Sequence, residues 1–375
     1  MSRYPMPAFP TGWFPVQESA SLAAGAAEPL RAFGRELVLF RTEGGDAVVM
    51  DAWCPHLGAH LGRAGTVRGE RIVCPFHRWE FDKGGQCEHI PYSDKAIPSR
   101  ARLKPLPVIE RNGWVFVWHD ADGGAPTHDL PELGLWGHAD WTTPLTIRRE
   151  CRFHCQEIRE NGVDAYHFLT VHGMSAQQMT VETEGPVFTQ RSGLDLAELG
   201  AARLRVDFHG LGYALARQVI GDVEIRVYSH VLPIDEDLSR LSFAISIRRL
   251  PDVAAVRGLL AFMRQAHGDI GDHGAVPVAN SSPYWEMVSW SDVTRSLGRA
   301  LGTGNPRTLL LEGLTQAIAP SIAAELARQL DQDIYLTEHK TYLSQPILRE
   351  GEGPIMKMRR WARQFYPAAE GLAAR

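Results

Sequence analysis

Cys54-Pro-His56-Leu-Gly-Ala-His60-Leu-Gly62 and, after seventeen residues that separate it from His56, Cys74-Pro-Phe-His77 form the stretch that decides the fold of this chain. As spacing it reads Cys-x-His, then Cys-x-x-His. Each short loop offers one sulfur and one imidazole. Zinc ribbons take Cys-x-x-Cys pairs, or a Cys pair followed by a His pair. Mixed pairs instead suit a binuclear [2Fe–2S] cluster, with Cys54 and Cys74 on one iron and His56 and His77 on the other. Neutral imidazoles in place of two thiolates reduce the negative charge at such a cluster and raise its potential. The competing assignment is a structural zinc site. The Pro after each Cys and the Gly-rich surroundings count against it. His60 is surplus to the motif and reads as structural.

The sequence around this stretch is β-prone. Residues 35–40 and 47–50 flank a hairpin loop, Glu43-Gly44-Gly45-Asp46. Residues 71–73 lead into the second loop and residues 79–81 leave it. Residues 113–119 (GWVFVWH) make a strand with aromatics expected on both faces. No helical period runs through this part. It predicts an all-β domain over residues 12–122, ended by loop chemistry at 121–126.

The chain has 375 residues, more than one ordinary core of roughly 150 residues. Residues 123–375 therefore read as a second domain. A strand is expected over 145–153 and a helix over about 156–169. Alternating runs across 202–250, with Gly221-Asp222 as a two-residue hairpin turn, predict an antiparallel sheet with one wet face. A helix is expected over 253–265, followed by a Gly- and Ser-rich stretch over 268–306. The last long helix is expected to begin near Pro320 as its N1 residue, with an apolar stripe of Ile322, Leu326, Leu330 and Ile334. The basic, aromatic tail 356–366 reads as a docked helix rather than a membrane anchor. The fold class is thus α+β.

A formal charge of −5 leaves no electrostatic footprint for nucleic acid. An odd count of five cysteines argues against a secreted disulfide scaffold. Cys87, Cys151 and Cys155 read as buried small hydrophobes. The N-terminus has no apolar signal core, and no apolar run approaches the ~18 residues of a span. A cytoplasmic location and no transmembrane segment are expected.

A second constellation is Asn161-Gly-Val-Asp164-Ala-Tyr-His167-Phe-Leu-Thr-Val-His172. Asp164 and His167 are i, i+3 neighbours on one helical face. His172 lies about 140° round an ideal helix from His167, so the helix must end or distort before His172 if both imidazoles face one ion. Two histidines and a carboxylate on one face of Fe(II) leave positions open for oxygen and substrate. Asp164, His167 and His172 form a plausible triad by themselves.

With both motifs in hand, residues 12–366 resemble the oxygenase component of Rieske non-haem iron oxygenases. The resemblance implies a Rieske [2Fe–2S] domain followed by a helix-grip catalytic domain, with His167 and His172 as ligands of a mononuclear Fe(II). It takes the third ligand from an Asp on a late helix. It makes Asp164 a bridging carboxylate, reached by His77 across a subunit boundary, and places Asn161 beside it in the catalytic motif. Helical phasing then chooses between Asp331 and Asp333. At about 100° per residue, Asp333 lies within about 60° of Ile322, Leu326 and Leu330, whereas Asp331 falls among solvated charges on the opposite side. Arg78 departs from the family, which usually has Gly after the second cluster His.

The resemblance implies O₂ as co-substrate and NAD(P)H as electron source, through a separate reductase with or without a ferredoxin, since no Gly-x-Gly-x-x-Gly nucleotide fingerprint is present. It also implies a homotrimer. The tail from Asp333 onward and the first cluster loop look most like the ketosteroid hydroxylase and sterol desaturase branch. Monooxygenation of a bulky hydrophobic substrate is therefore expected. Aromatic-ring dihydroxylation or O/N-demethylation is the runner-up, and a Rieske electron carrier the non-enzyme alternative.

Overall fold

A computed structural model describes residues 3–134, 136–196, 200–252, 255 and 306–367. The helix expected over 253–265 and the stretch 268–306 fall outside these residues, apart from residues 255 and 306.

Three small antiparallel sheets make up the N-terminal part. The first joins β1 (Gly12–Glu18), β10 (Val108–Arg111) and β11 (Trp114–His119) in the order β1-β11-β10. The second has the order β2-β3-β4-β9, from β2 (Ala27–Ala32), β3 (Arg35–Arg41), β4 (Ala47–Asp51) and β9 (Pro105–Leu106). The third runs β5-β6-β7-β8, from β5 (Thr66–Arg68), β6 (Arg71–Val73), β7 (Glu80–Phe81) and β8 (Cys87–His89). The hairpin expected at residues 43–46 joins β3 to β4, and the short helix α1 (Leu61–Ala64) follows the first Cys/His loop.

Every residue of β11 is buried, because the strand is covered on both sides. Its period of two sends Val115 and Val117 into a core with Phe14, Leu37 and Leu39. Trp114, Phe116 and Trp118 go to the other side, against Tyr213, Leu215 and Tyr228. The three aromatics thus share one face, not two as the sequence reading had them.

The second part is built on a seven-stranded antiparallel sheet. Its strands are β12 (Leu145–Cys151), β13 (Ser175–Glu184), β14 (Val187–Leu196), β15 (Gly200–His209), β16 (Tyr213–Ile220), β17 (Val223–Pro233) and β18 (Ser239–Ile247). The order is β12-β18-β17-β16-β15-β14-β13. Gly221-Asp222 closes the β16–β17 hairpin, with Gly221 at φ 55°. The edge strand β13 escapes the sequence reading because it is polar, half exposed and bulged between Gln177 and Thr180. The sheet face away from the helices is not simply wet, since Tyr213, Leu215, Tyr228 and Ala244 pack there against the aromatic face of β11.

Among the described residues, four helices lie on the opposite face: α2 (Cys155–Asn161), α3 (Ala165–His172), α4 (Pro306–His339) and α5 (Ile355–Ala362). The single helix expected over 156–169 is broken at Gly162-Val163-Asp164, where Asp164 starts a new helix as its N-cap. The long helix is already running at Pro306, so Pro320 lies inside it rather than at its start. An interior proline removes one N–H from the helical ladder. The apolar stripe holds: Ile322 and Leu330 are buried, Leu326 and Ile334 pack against them, and Ala323 and Ala327 complete the face. The tail docks as expected, through Met358, Trp361 and Phe365.

Candidate cluster and iron sites

The two Cys/His loops are copies of one backbone design. In the first, the Gly58 N–H donates to the Cys54 carbonyl (2.9 Å) and the Cys54 N–H to the Ala59 carbonyl (2.9 Å). In the second, the Arg78 N–H donates to Cys74 (3.1 Å) and the Cys74 N–H to Trp79 (2.8 Å). The residue four beyond each cysteine sits in the left-handed region, at φ 73° for Gly58 and φ 61° for Arg78. That requirement explains why glycine suits position 78, and why arginine there carries a conformational cost.

The donors sort into two pairs. The Cys54 and Cys74 thiols are buried side by side. The Cys54 thiol beside it holds Cys74 down at about 5, helped by the Phe76 and His77 backbone N–H groups against the opposing effect of burial. Cys54 is pushed up by Cys74 and by burial. The His56 and His77 rings lie 4.6 Å apart, and both Nδ1 atoms are buried without a hydrogen-bond partner. Orphaned buried acceptors of this kind call for a ligand. Among the described residues, no three of these four donors converge as a single ion would require. A pair of thiols and a pair of imidazoles fits two irons, and does not fit one zinc.

The sequence did not reveal what surrounds the pairs. His56 stacks on Trp79 at 4.6 Å and 7° between planes, and Trp79 Nε1 donates to the Tyr92 hydroxyl (2.7 Å). His60 is structural: its Nδ1 caps α1 by accepting from the Gly62 N–H (3.1 Å), and its Nε2 faces Glu36 at 3.4 Å. Cys87, Cys151 and Cys155 are buried, and His154 caps α2.

The second site draws on α3 and α4. Asp333 Oδ1 lies 2.8 Å from His167 Nε2 and 3.1 Å from His172 Nε2, and one donor atom from each of the three residues falls within 4.8 Å of the others. His167 Nε2 and Asp333 Oδ1 are nonetheless buried without an aligned hydrogen bond. Short approach without alignment is what lone pairs aimed at a shared ion produce, so the three donors fit a mononuclear metal. Burial pushes the Asp333 carboxyl up, but the His172 and His167 imidazoles outweigh it and hold the group well below the usual carboxylate range. Burial pulls His167 down, and Asp333 more than restores it, so its pKa is raised.

Two expectations about α3 are corrected. The helix does not end before His172; it ends with it, and Gly173 follows as a left-handed C-cap at φ 69°. In this last turn the two rings still reach each other, with centroids 4.7 Å apart at 89°. Asp164 is not on a helical face with His167 but is the N-cap, and its Oδ1 accepts from the His167 N–H (3.0 Å). Asp164 therefore does not converge with the two histidines; Asp333 does. The break before α3 is clamped from the C-terminal side. The Ala165 N–H donates to the Glu352 carbonyl (2.9 Å), and a Cβ on Gly353 would stand 2.1 Å from the Val163 carbonyl oxygen.

Asp331 is not the freely solvated charge the phasing suggested. It is half-buried and held by both ends of Arg149, at 2.7 and 3.1 Å. The choice of Asp333 stands on geometry, because it is the carboxylate beside the two imidazoles. A cavity of about 130 Å³ opens onto the three donors, lined also by Asn161, Phe168, Val206 and Phe243.

Residues 12–108 match the family model of the Rieske [2Fe-2S] domain, and residues 117–269 and 306–366 match that of the 3-ketosteroid 9α-hydroxylase C-terminal domain. The chain is 30% identical over 381 residues to cholesterol 7-desaturase of Hemicentrotus pulcherrimus, spanning 96% of this chain and 70% of that protein. It is 29% identical to a 3-ketosteroid-9-alpha-monooxygenase oxygenase component of Rhodococcus rhodochrous, across 97% and 85% of the two chains. Its fold is shared with dicamba monooxygenase, at a TM-score of 0.60 and 15% identity over 94% of this chain and 96% of that one. No helix among the described residues is long and apolar enough to cross a membrane. Two Cys/His loops, a distant pair of histidines and matches across both halves agree: this chain belongs to the Rieske oxygenases with a 3-ketosteroid 9α-hydroxylase C-terminal domain, enzymes that carry a [2Fe–2S] cluster and a mononuclear iron.

Proposed function

We propose that this oxygenase component inserts oxygen into a bulky, hydrophobic, steroid-like substrate, with electrons delivered by a separate NAD(P)H-dependent reductase, directly or through a ferredoxin. The observation that carries the reading is the convergence of His167, His172 and Asp333 on the wall of a largely apolar cavity. Relatives named for acting on cholesterol and 3-ketosteroids give the substrate class.

Cys54, Cys74, His56 and His77 hold the cluster, through two thiolates and two Nδ1 atoms. His167, His172 and Asp333 hold the mononuclear iron. Bound there, the cluster supplies single electrons and the ferrous ion supplies the activation of O₂. The remaining work belongs to side chains. Phe168, Val206, Phe208 and Phe243 exclude water and take the apolar body of the substrate. Asn161 places an amide on the same wall. Asp164 fixes the His167 backbone through Oδ1, while its Oδ2 has no hydrogen-bond partner among the described residues. That second oxygen is available to the outer nitrogen of His77 from another copy of the chain, where it would orient the ring.

Such pairing suits a head-to-tail homotrimer. Exposed apolar side chains lie beside both sites, Leu57 and Phe76 on the cluster loops and Tyr166 and Leu169 on α3. Residues 12–122 and 123–375 act as two domains, since the last small-sheet strand ends at His119 and the large sheet begins at Leu145. We place the protein in the cytoplasm, in keeping with its odd count of five cysteines. The test is a substrate screen with purified holoenzyme, a generic reductase and NADH, reading O₂ uptake and oxidised product. Product from sterols or 3-ketosteroids supports the reading. Turnover confined to small aromatic rings or N-methyl compounds overturns the substrate class.

A further inference from the structure

Helix α2 buries three charged side chains, and among the described residues only two of them have a counter-charge. Glu157 faces Lys340 Nζ at 3.2 Å and accepts from the Tyr4 hydroxyl. Glu160 is gripped by Arg359 at 2.8 and 3.0 Å. Arg159 is 2% exposed, and no carboxylate among the described residues pairs with it. Its Nε donates to the Leu211 carbonyl (3.0 Å), one Nη to Ser229 Oγ (2.8 Å) and the other to the Ser229 carbonyl (3.2 Å). A guanidinium has five N–H groups in a fixed fork. Two, one on each terminal nitrogen, are left without an acceptor among the described residues.

This cation sits on the wall of the iron-ligand cavity. Arg159 and its partner Ser229 line the same cavity as His167, His172 and Asp333. The neighbouring wall is apolar, with Phe208 placing its ring centroid 6.0 Å from the guanidinium carbon. Asp333, the one carboxylate on this wall among the described residues, is engaged with the two imidazoles. Burial without an opposite charge is costly, and it pulls the guanidinium pKa down to about 9. Tying α2 to β17 and to the β15–β16 turn accounts for three donors but not for the charge. A neutral amide could bridge such acceptors without the cost of desolvating a cation.

We propose that Arg159 is a specificity-determining residue that holds a carboxylate on an otherwise apolar substrate, placing it in the cavity that presents the iron ligands. A charge-assisted hydrogen bond from a free N–H of this cation favours an anion over a neutral ester of similar shape. The inference rests on the oxygenase reading and adds a polar anchor to the substrate class.

The test uses matched pairs of hydrophobic acids and their methyl esters, from phenylpropionic acid to cholanic acid. Binding to the holoenzyme is read by quenching of tryptophan fluorescence, without oxygen or electron donor, so that no turnover is needed. At least one acid should bind about tenfold or more tightly than its ester. Arg159→Met should bring that ratio to about one with iron and cluster content unchanged, and Arg159→Lys should keep part of it. The idea fails if no pair shows an acid preference, or if the preference survives in Arg159→Met. Should Arg159→Met not fold by circular dichroism, the wild-type ratio and Arg159→Gln decide: a wild-type acid preference that glutamine leaves wholly unchanged would remove the cation from recognition. O₂ uptake with a neutral steroid but no acid preference removes Arg159 from recognition and leaves the oxygenase reading standing. Acid preference with no O₂ uptake on any substrate does the reverse.

Discussion

The two metal sites of this chain are assembled in opposite ways. The cluster site is two short loops of one repeated design, each closed by its own hydrogen bonds from the residue four beyond the cysteine. Its donors come from within 24 residues of chain, Cys54 to His77. The iron site takes its histidines from the last two turns of α3 and its carboxylate from α4, more than 150 residues away. A site made of local loops depends on turn geometry. A site made across elements depends on the packing that sets α4 against the sheet. The two should therefore fail separately.

The strongest test removes one donor at a time. Asp333→Ala should strip the mononuclear iron and abolish turnover, a loss beyond the roughly 10–100-fold that removing an outer-shell partner costs. The EPR signal of the reduced cluster should stay. Cys54→Ser should do the reverse, losing the brown colour and cluster signal while iron remains on the triad. If either variant empties both sites, the separation drawn here is wrong.

Asp164 probes the junction between the sites. Asn is as good an N-cap as Asp, so Asp164→Asn should keep α3, the iron and the cluster. It removes the charge available to His77, and turnover should drop by roughly 10–100-fold. Single-turnover re-oxidation of the reduced cluster, with substrate and O₂, measures it. Wild-type re-oxidation rates would mean that Asp164 only caps the helix, and loss of iron would return it to the ligand set.

Asp331→Ala distinguishes a packing carboxylate from a ligand two residues away. It should leave iron content unchanged and lower stability by about 1 kcal/mol, since the Arg149 pair is bidentate but partly exposed. Chemical denaturation and iron analysis read the two quantities. Loss of iron here would show that α4 is phased wrongly.

The smallest effect concerns the loop design itself. Arg78→Gly relieves a left-handed residue and should stabilise the second loop by about 1 kcal/mol, seen as a modest rise in the melting temperature. No gain would mean that the Arg78 side chain offsets its own backbone cost.

Cluster chemistry was legible in the sequence because the cluster's donors are neighbours in the chain, and spacing alone sorts Cys54, His56, Cys74 and His77 into mixed pairs. The same holds for the His167–His172 pair and for the alternation that marks β15 and β18. Phasing of the apolar stripe also singled out Asp333, since a carboxylate among Ile322, Leu326 and Leu330 has to face inward. What sequence could not settle were matters of local breakage and distant pairing. Gly162 and Asp164 split one expected helix into two, because a capping side chain there competes with helix continuation. Pro320 looked like a helix start, yet packing carried α4 through it. Asp331 looked solvated until Arg149, on a strand 182 residues away, arrived beside it. Arg159 carried no signal at all: a charged residue in a helix of charged residues is ordinary in sequence. Only the fold, by giving Glu157 and Glu160 their cations and leaving Arg159 on the cavity wall with no anion among the described residues, made it stand out.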